Sequence, residues 1–317
     1  MSAVAPLIVE VERSGLVEST HPVDVAVTDA DGSLVAWAGK PGTIAYLRSS
    51  AKPIQALACL ENGWEPPGVD QLAVACGSHN GEPEHVAAAR VTLAAAGVPE
   101  AELRCPPAWP FRQEDAAAAG HAAPIFHNCS GKHAAMLATA VASGWPLDDY
   151  RSAGHPMQRA VASTLGRLAG RAPSHAGIDG CGVQTFALPL TGSARLFSRL
   201  GSSAPAVLDA MAARPFFVAG TGRLCSAIMR AVPGVVIKIG AEGLACITLR
   251  ERGLGVALKS RDGTQRARDV AVLAVLAALE ALPDPPPDEL APHATPAVVG
   301  GGAGVGSVTV RGNLHRA

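Results

Sequence analysis

The sequence predicts an α+β protein whose mostly antiparallel sheet is built from both termini, with a helical layer between. Three observations carry this. Strand-type patterns cluster at residues 7–48 and return at 234–260. Apolar residues at helical spacing dominate the middle, about 82–232, which reads as a helical subregion of a single catalytic domain covering 1–317. The regular strand–helix–strand alternation that a parallel sheet requires is missing.

The elements follow in order. "LIVEVERSG" reads as a strand, and "VDVAVTDADGSLVAWAG" as a hairpin turning at Asp31-Gly32. "TIAYLR" (43–48) is a third short strand. "PIQALACLENG" (53–63) is a helix with Pro53 in its first turn and Gly63 at its stop. "QLAVACGSHNG" is expected to be a buried strand running into a turn at 78–81, and "EPEHVAAARVTLAAAG" a helix with acids in its first turn. Further helices are expected at 130–143, 155–169, 205–213 and 221–231. Strands follow at 234–240, 245–251 and 254–260, then an apolar helix at 265–282. "LPDPPPDELAPHATP" is a surface linker, because consecutive prolines oppose helix and ladder alike. "GGGAGVGS" (300–307) fits no phosphate-binding glycine register and precedes no helical pattern, so it reads as a hairpin or loop before the strand "SVTVRG".

Composition limits the function. With 317 residues, 48% apolar and 17% charged, the chain can bury a large core, which excludes disorder. A net charge of −1 without a basic stripe argues against nucleic acid and anionic membranes as partners. "VAVLAVLAAL" (270–279) is too short to span a bilayer. No basic segment precedes the first apolar residues, so no signal peptide is expected and a cytoplasmic location is. The 7 cysteines are dispersed and form no CxxC, which argues against a disulfide framework. Arginine carries most of the positive charge, and the only lysines are Lys40, Lys52, Lys132, Lys238 and Lys259. Arginine does not give up its proton, so each retained lysine is a candidate base.

The chemistry begins at "LRSSAKPIQ" (47–55), where Ser49 and Lys52 form an S-x-x-K pair. On a helical or 3₁₀ turn that spacing puts both side chains on one side, and a desolvated lysine can accept the serine proton. The plain alternative is a capping serine beside a solvated lysine. Pro53 disfavours α geometry at Lys52, which suggests a turn before the helix. Ser78-His79-Asn80 has the S-x-N form of a second motif in serine acyl-transfer enzymes, and Lys259 ends a late strand as their third-motif lysine does. Lys259-Ser260-Arg261 lacks the glycine of that motif. In "HNCSGKHAAML" (127–137), Cys129, Lys132 and His133 share one helical face, and "GIDGCGVQ" (177–184) adds Asp179 and Cys181 on a glycine-flanked loop. The two segments together could hold zinc, or the cysteines could be buried structural residues. By spacing alone His133 is the better nitrogen donor.

Taken together, "RSSAKPIQALA", "CGSHNGEPEH", "NCSGKHAAML", "IDGCGV", "GTGRLCSAIMRA" and "KIGAEG" resemble, in order, the bacterial asparaginase II family. The resemblance runs from about residue 7 to 260. It implies a fold like that of serine β-lactamases and glutaminases, and hydrolysis of L-asparagine to aspartate and ammonia by two Ser–Lys tandems. Carried over by motif, these are Ser49 with Lys52 and Ser78 with Lys259, Ser49 being the nucleophile. The resemblance also implies a zinc bound by Cys129, Cys181 and, in place of His133, Lys132, with Asp179 beside it. Arg48, His79 and Asp179 are the substrate-binding candidates, and a homodimer is expected from the family. The alternatives are a β-lactamase- or peptidase-like acyl hydrolase, or a scaffold binding zinc or an amino acid without turnover. The segment after about residue 283 matches no motif.

Overall fold

A computed structural model describes residues 4–317. The N-terminal part forms strands β1 (Leu7–Arg13), β2 (Leu16–Thr28), β3 (Leu34–Ala38) and β4 (Ile44–Tyr46), then a 3₁₀ turn at Arg48–Ala51. Helices α1 (Lys52–Glu61), α2 (Val69–Ala75), α3 (Pro83–Ala95), α4 (Gln113–Ala119), α5 (Ser130–Ala142) and α6 (Pro156–Ala169) follow. Strands β5 (His175–Ile178) and β6 (Gln184–Pro189) lead to α7 (Leu190–Ser203), α8 (Pro205–Ala213), α9 (Pro215–Ala219) and α10 (Leu224–Ala231). The C-terminal part comprises β7 (Val235–Ile239), β8 (Leu244–Leu249), β9 (Leu254–Ser260), α11 (Gln265–Ala278), α12 (Ala291–Ala294), β10 (Val298–Gly300), β11 (Ala303–Arg311) and β12 (His315–Arg316). The chain divides into two compact units. One takes the residues up to Ser50, Leu188–Gly201 and Ala227–Ala317; the other takes Ala51–Ala187 and Ser202–Ser226.

The first unit is organised by one sheet of order β10-β11-β1-β2-β9-β8-β7, with β3 beside β2 and β12 beside β3. Its pairings are antiparallel, and the strands come from both termini as predicted. β2 is long enough to serve several partners. Its first half pairs with β1, and Val23–Thr28 pairs with β9 while Val25–Thr28 also meets β3. β1 alternates buried and half-buried residues, the pattern of a strand with one covered face. β7 and β8 are buried at every position, so both their faces are covered. α11 packs on this sheet, and α7 approaches so closely that a Cβ on Gly255 would lie 2.0 Å from the Ala194 carbonyl oxygen. The glycine-rich stretch is a hairpin: Gly301 and Gly302, at φ of 58° and 83°, turn the chain from β10 into β11. The proline-rich segment contains only a 3₁₀ turn at Asp288–Leu290 and the single turn of α12.

The second unit is helical, with the antiparallel β5–β6 pair at its end. α5 is its centre, buried continuously from Ser130 to Ala140 and packed by α1, α2, α3 and α6. Gly131 permits this, because a Cβ there would sit 2.7 Å from the Val74 carbonyl oxygen of α2. One expectation is corrected here. "QLAVAC" is helical, as α2, and not a strand. A short apolar run carries no periodicity that separates a strand from a buried helix, and packing against α3, α5 and α8 decides it. Among the described residues no helix is long and apolar enough to cross a membrane.

Candidate active site

Only the serine half of the S-x-x-K pair stands on a turn before the helix: Pro53 predicts that Lys52 stays out of α geometry, yet Lys52 already belongs to α1. The 3₁₀ turn Arg48–Ala51 runs directly into α1, whose first residue is Lys52 and whose first turn accommodates Pro53. Arg48 enters the turn at φ 48°, a left-handed conformation that costs an arginine strain. The two serines differ. Ser50 is fully buried and its hydroxyl donates to the Lys238 carbonyl at 2.8 Å, whereas Ser49 is half-buried. Arg48, Ser49 and Lys259 lie in the first unit; Lys52, Ser78, His79, Cys129, Lys132, Asp179 and Cys181 lie in the second.

Lys52 is the centre of the second group. It is 1% exposed, and its Nζ donates to the Gly77 and Asn128 carbonyls, the latter at 2.9 Å, and reaches Ser78 Oγ at 3.0 Å. Burial pushes its pKa down, and the nearby Lys132 ammonium adds to this against the pull of Cys129 and Cys181. The geometry has a chemical consequence. A carbonyl oxygen can only accept, so two of the three positions on Nζ must always carry hydrogens. The third faces Ser78 Oγ, with the Cys129 sulfur also within reach of the ammonium. Once Lys52 is neutral, its lone pair is directed to the side where that hydroxyl lies, at 3.0 Å.

Ser78 leaves the C-terminal end of α2 on a loop that the flanking residues hold firmly. His79 is fully buried; its Nδ1 accepts the Gly81 N–H at 3.1 Å, which leaves Nε2–H to donate to Ser130 Oγ at 3.1 Å. Burial, with neighbouring His85 and Lys52, drives the His79 pKa well below the usual histidine value, so the ring is neutral. Both ring nitrogens are thus engaged inside the protein. Glu82 closes the loop by accepting from the Thr221 N–H and hydroxyl, Asn80 Nδ2 and Arg112 Nη1.

The cysteine cluster forms beside Lys52. Cys129 caps the N-terminus of α5, Lys132 lies in that helix's first turn, and Cys181 comes from the β5–β6 connection. Lys132 Nζ donates to Cys181 Sγ at 2.9 Å, and all three residues are buried. The Cys129 thiol is pulled far below its usual pKa by its hydrogen bond with Cys181, and then by Lys52 and Lys132, against the cost of burial. Burial opposes the charge on Lys132, but Cys181 and Cys129 outweigh it and raise its pKa. Asp179 is half-buried, its carboxylate near enough to Lys132 and His127 to act on both electrostatically. Among the described residues no three His, Cys, Asp or Glu side chains gather as a metal site. The cluster reaches three donors only by including the lysine. Two thiol groups and an amine, buried and already in contact, form a donor set that fits zinc.

In the first unit, Lys259 is the penultimate residue of β9, opposite Asp24 of β2, and donates to its neighbour's carbonyl, that of Ser260. Burial lowers its pKa, and Glu242, Asp262 and Asp24 oppose the shift. Asp24 is buried and paired to Arg261 at 2.7 Å, which fixes the strand end that carries the lysine. Sequence reasoning missed the Gly77 and Asn128 carbonyls, and also Tyr150. Backbone acceptors leave no residue-type signal, and Tyr150 stands in no motif.

The sequence matches the family described as L-asparaginase II over residues 9–310. A comparison with curated proteins found no match. Among solved structures, Mglu in its native form aligns with a TM-score of 0.46 and 14% identity, covering 82% of this chain and 65% of that one. Mglu in its glutamate form gives 0.47 and 14%, covering 82% and 61%. A β-lactamase from Mycobacterium bovis gives 0.35 and 16%, covering 82% and 95%. The chain thus spans under two thirds of the native Mglu chain's length. Likenesses at this level carry no weight for chemistry.

Proposed function

The chain belongs to the L-asparaginase II family, and from that premise we propose that it is an amidohydrolase, hydrolysing L-asparagine to L-aspartate and ammonia through a serine acyl-enzyme. The observation that carries the reading is the binding of Lys52 by two carbonyls, which leaves a switchable position on the side of the Ser78 hydroxyl, the entry to a proton relay. A buried lysine with a lowered pKa and a directed lone pair is a general base.

In this reading Ser49 attacks the side-chain amide carbon and its proton passes to Lys52 by way of the Ser78 hydroxyl, which Nζ meets at 3.0 Å. Lys52 then returns that proton to the departing ammonia, and water cleaves the ester. Ser78 and Lys259 form the second tandem, relaying protons and orienting the first. Arg48 and Asp179 supply charges for the α-carboxylate and α-amino groups of the substrate; His79, with both nitrogens engaged, acts by fixing the Ser78 loop. Cys129, Lys132 and Cys181 would hold zinc, Lys132 as the neutral amine, and bound zinc would supply a positive anchor for substrate polar groups. The active protein is a homodimer.

One observation favours a second assignment on the same site: the hydroxyl bonded to Lys52 belongs to Ser78. Ser78 would then be the nucleophile. Ammonia release from asparagine and glutamine, and the colour change of a chromogenic β-lactam on ring opening, test the activity, and asparagine is expected to be the preferred substrate. Preference for the β-lactam would replace the reading with a β-lactamase-like one, and turnover of none would make the chain a binding scaffold. Mass spectrometry of an acid-quenched acyl-enzyme separates the serines, with the adduct expected on Ser49.

A further inference from the structure

Next to the cysteine cluster stands a buried pair that the reaction described above leaves without a role. Tyr150 is fully buried, and its hydroxyl oxygen accepts the Arg104 backbone N–H at 3.1 Å. The same hydroxyl lies 2.6 Å from His133 Nδ1, with the two rings edge to face at 5.5 Å. His133 is itself fully buried, and its other nitrogen, Nε2, has no hydrogen-bond partner. An orphaned ring nitrogen in a sealed interior costs free energy, so where it points matters. The Cys181 sulfur lies close enough to the His133 ring for the two to interact, and with Nδ1 taken by Tyr150 the nitrogen left for it is Nε2, although no hydrogen bond of normal geometry is completed.

The proton positions follow from donor and acceptor counting. The Tyr150 oxygen already receives one N–H, and its own hydrogen needs an acceptor. His133 Nδ1 is the acceptor in reach, so Nδ1 must offer its lone pair. A neutral imidazole with a free Nδ1 carries its hydrogen on Nε2. That nitrogen then has no lone pair for a metal, and it presents an N–H to Cys181.

We propose that Tyr150 and His133 are a positioning pair: Tyr150 locks His133 as the Nε2–H tautomer, and His133 directs that N–H at the Cys181 sulfur, holding a metal-ligating thiolate instead of binding the metal. This rests on the zinc reading of the cluster, and it explains why Lys132 and not His133 supplies the nitrogen donor although both lie on one helical face. An N–H···S contact of this kind fixes the direction of the sulfur lone pairs and spreads its charge. Outer partners of metal ligands typically change affinity by about 10- to 100-fold.

Two measurements on the full-length protein test the pair, one of them independent of metal. Long-range ¹H–¹⁵N spectra of the histidine rings, assigned with His133→Gln, are expected to show His133 as the Nε2–H tautomer, and Tyr150→Phe is expected to erode it. Zinc competition against a chromophoric chelator is expected to show binding weakened about 10- to 100-fold in His133→Ala, still with saturable zinc. His133→Gln places an N–H where Nε2–H stood and is expected to bind nearly as wild type, which a purely space-filling role would not predict. A Nδ1–H tautomer, or His133→Ala with unchanged zinc affinity, overturns the proposal. So does loss of zinc stoichiometry in His133→Ala to the level of Cys129→Ser, because His133 would then be a ligand. If the wild type takes no zinc, the metal reading fails by itself and the tautomer still decides the pairing. Should His133→Ala not fold, the wild-type spectra and the Gln and Phe variants decide between the two roles.

Discussion

Replacing Glu82 by glutamine separates the electrostatics of the Ser78 loop from its packing. The carboxylate is 3% exposed, and four donors fill its lone pairs. Oε1 accepts from the Thr221 N–H at 2.8 Å and Asn80 Nδ2 at 2.9 Å; Oε2 accepts from the Thr221 hydroxyl at 2.7 Å and Arg112 Nη1 at 2.9 Å. Burial by itself would raise the pKa, but the Thr221, Arg112 and Asn80 donors win and bring it from 4.5 to about 2. A carboxyl whose pKa is depressed on folding stabilises the native state above its unfolded pKa, and that stabilisation is lost as pH falls through the folded value. A shift of this size corresponds to roughly 3 kcal/mol at pH 7, of which about 2 kcal/mol is lost by pH 3. Glutamine does not titrate and cannot accept at both ends. Denaturant unfolding of wild type and Glu82→Gln at pH 7 and pH 3 should therefore show a gap that narrows by about 2 kcal/mol in acid. A gap of equal size at both pH values would mean that Glu82 contributes through shape alone and that its charge does not hold the loop.

Three further outcomes are expected. Ser49→Ala should lower ammonia release from asparagine by at least about a hundredfold without moving the unfolding midpoint, and full retained activity would remove Ser49 as nucleophile. Elemental analysis should find about one zinc per chain, lost in Cys129→Ser, because removing one thiolate dismantles a three-donor set; protein that takes up no zinc when supplied with it would count against the site. Gly255→Ala should destabilise the first unit by about 1–3 kcal/mol, since its Cβ would lie 2.0 Å from the Ala194 carbonyl oxygen and force α7 to move. An unchanged unfolding midpoint for that variant would contradict the close approach of α7 to β9.

What the sequence made legible depended on whether the deciding interaction was local. The sheet strands at both ends were readable because their alternation and turns lie within a few residues, as at Asp31-Gly32 and Gly301-Gly302. The turn before α1 was only partly readable: Pro53 suggested one, but Lys52, the residue it restricts, is already helical as the first residue of α1. α2 was not, since "QLAVAC" becomes a helix through neighbours far away in the chain. The same limit applies to the site. Spacing could pair Ser49 with Lys52, and it could place Lys132 and His133 on one face of α5. It could not reveal that Lys52 is bound by carbonyls at Gly77 and Asn128, or that a tyrosine 17 positions after His133 occupies its Nδ1. Those contacts determine where each lone pair points, and the direction of a lone pair separates a base from a buried charge and a metal ligand from its support. Motif spacing names the groups that can react; the acceptors around them, mostly backbone and therefore silent in sequence, fix which atom of each group is available.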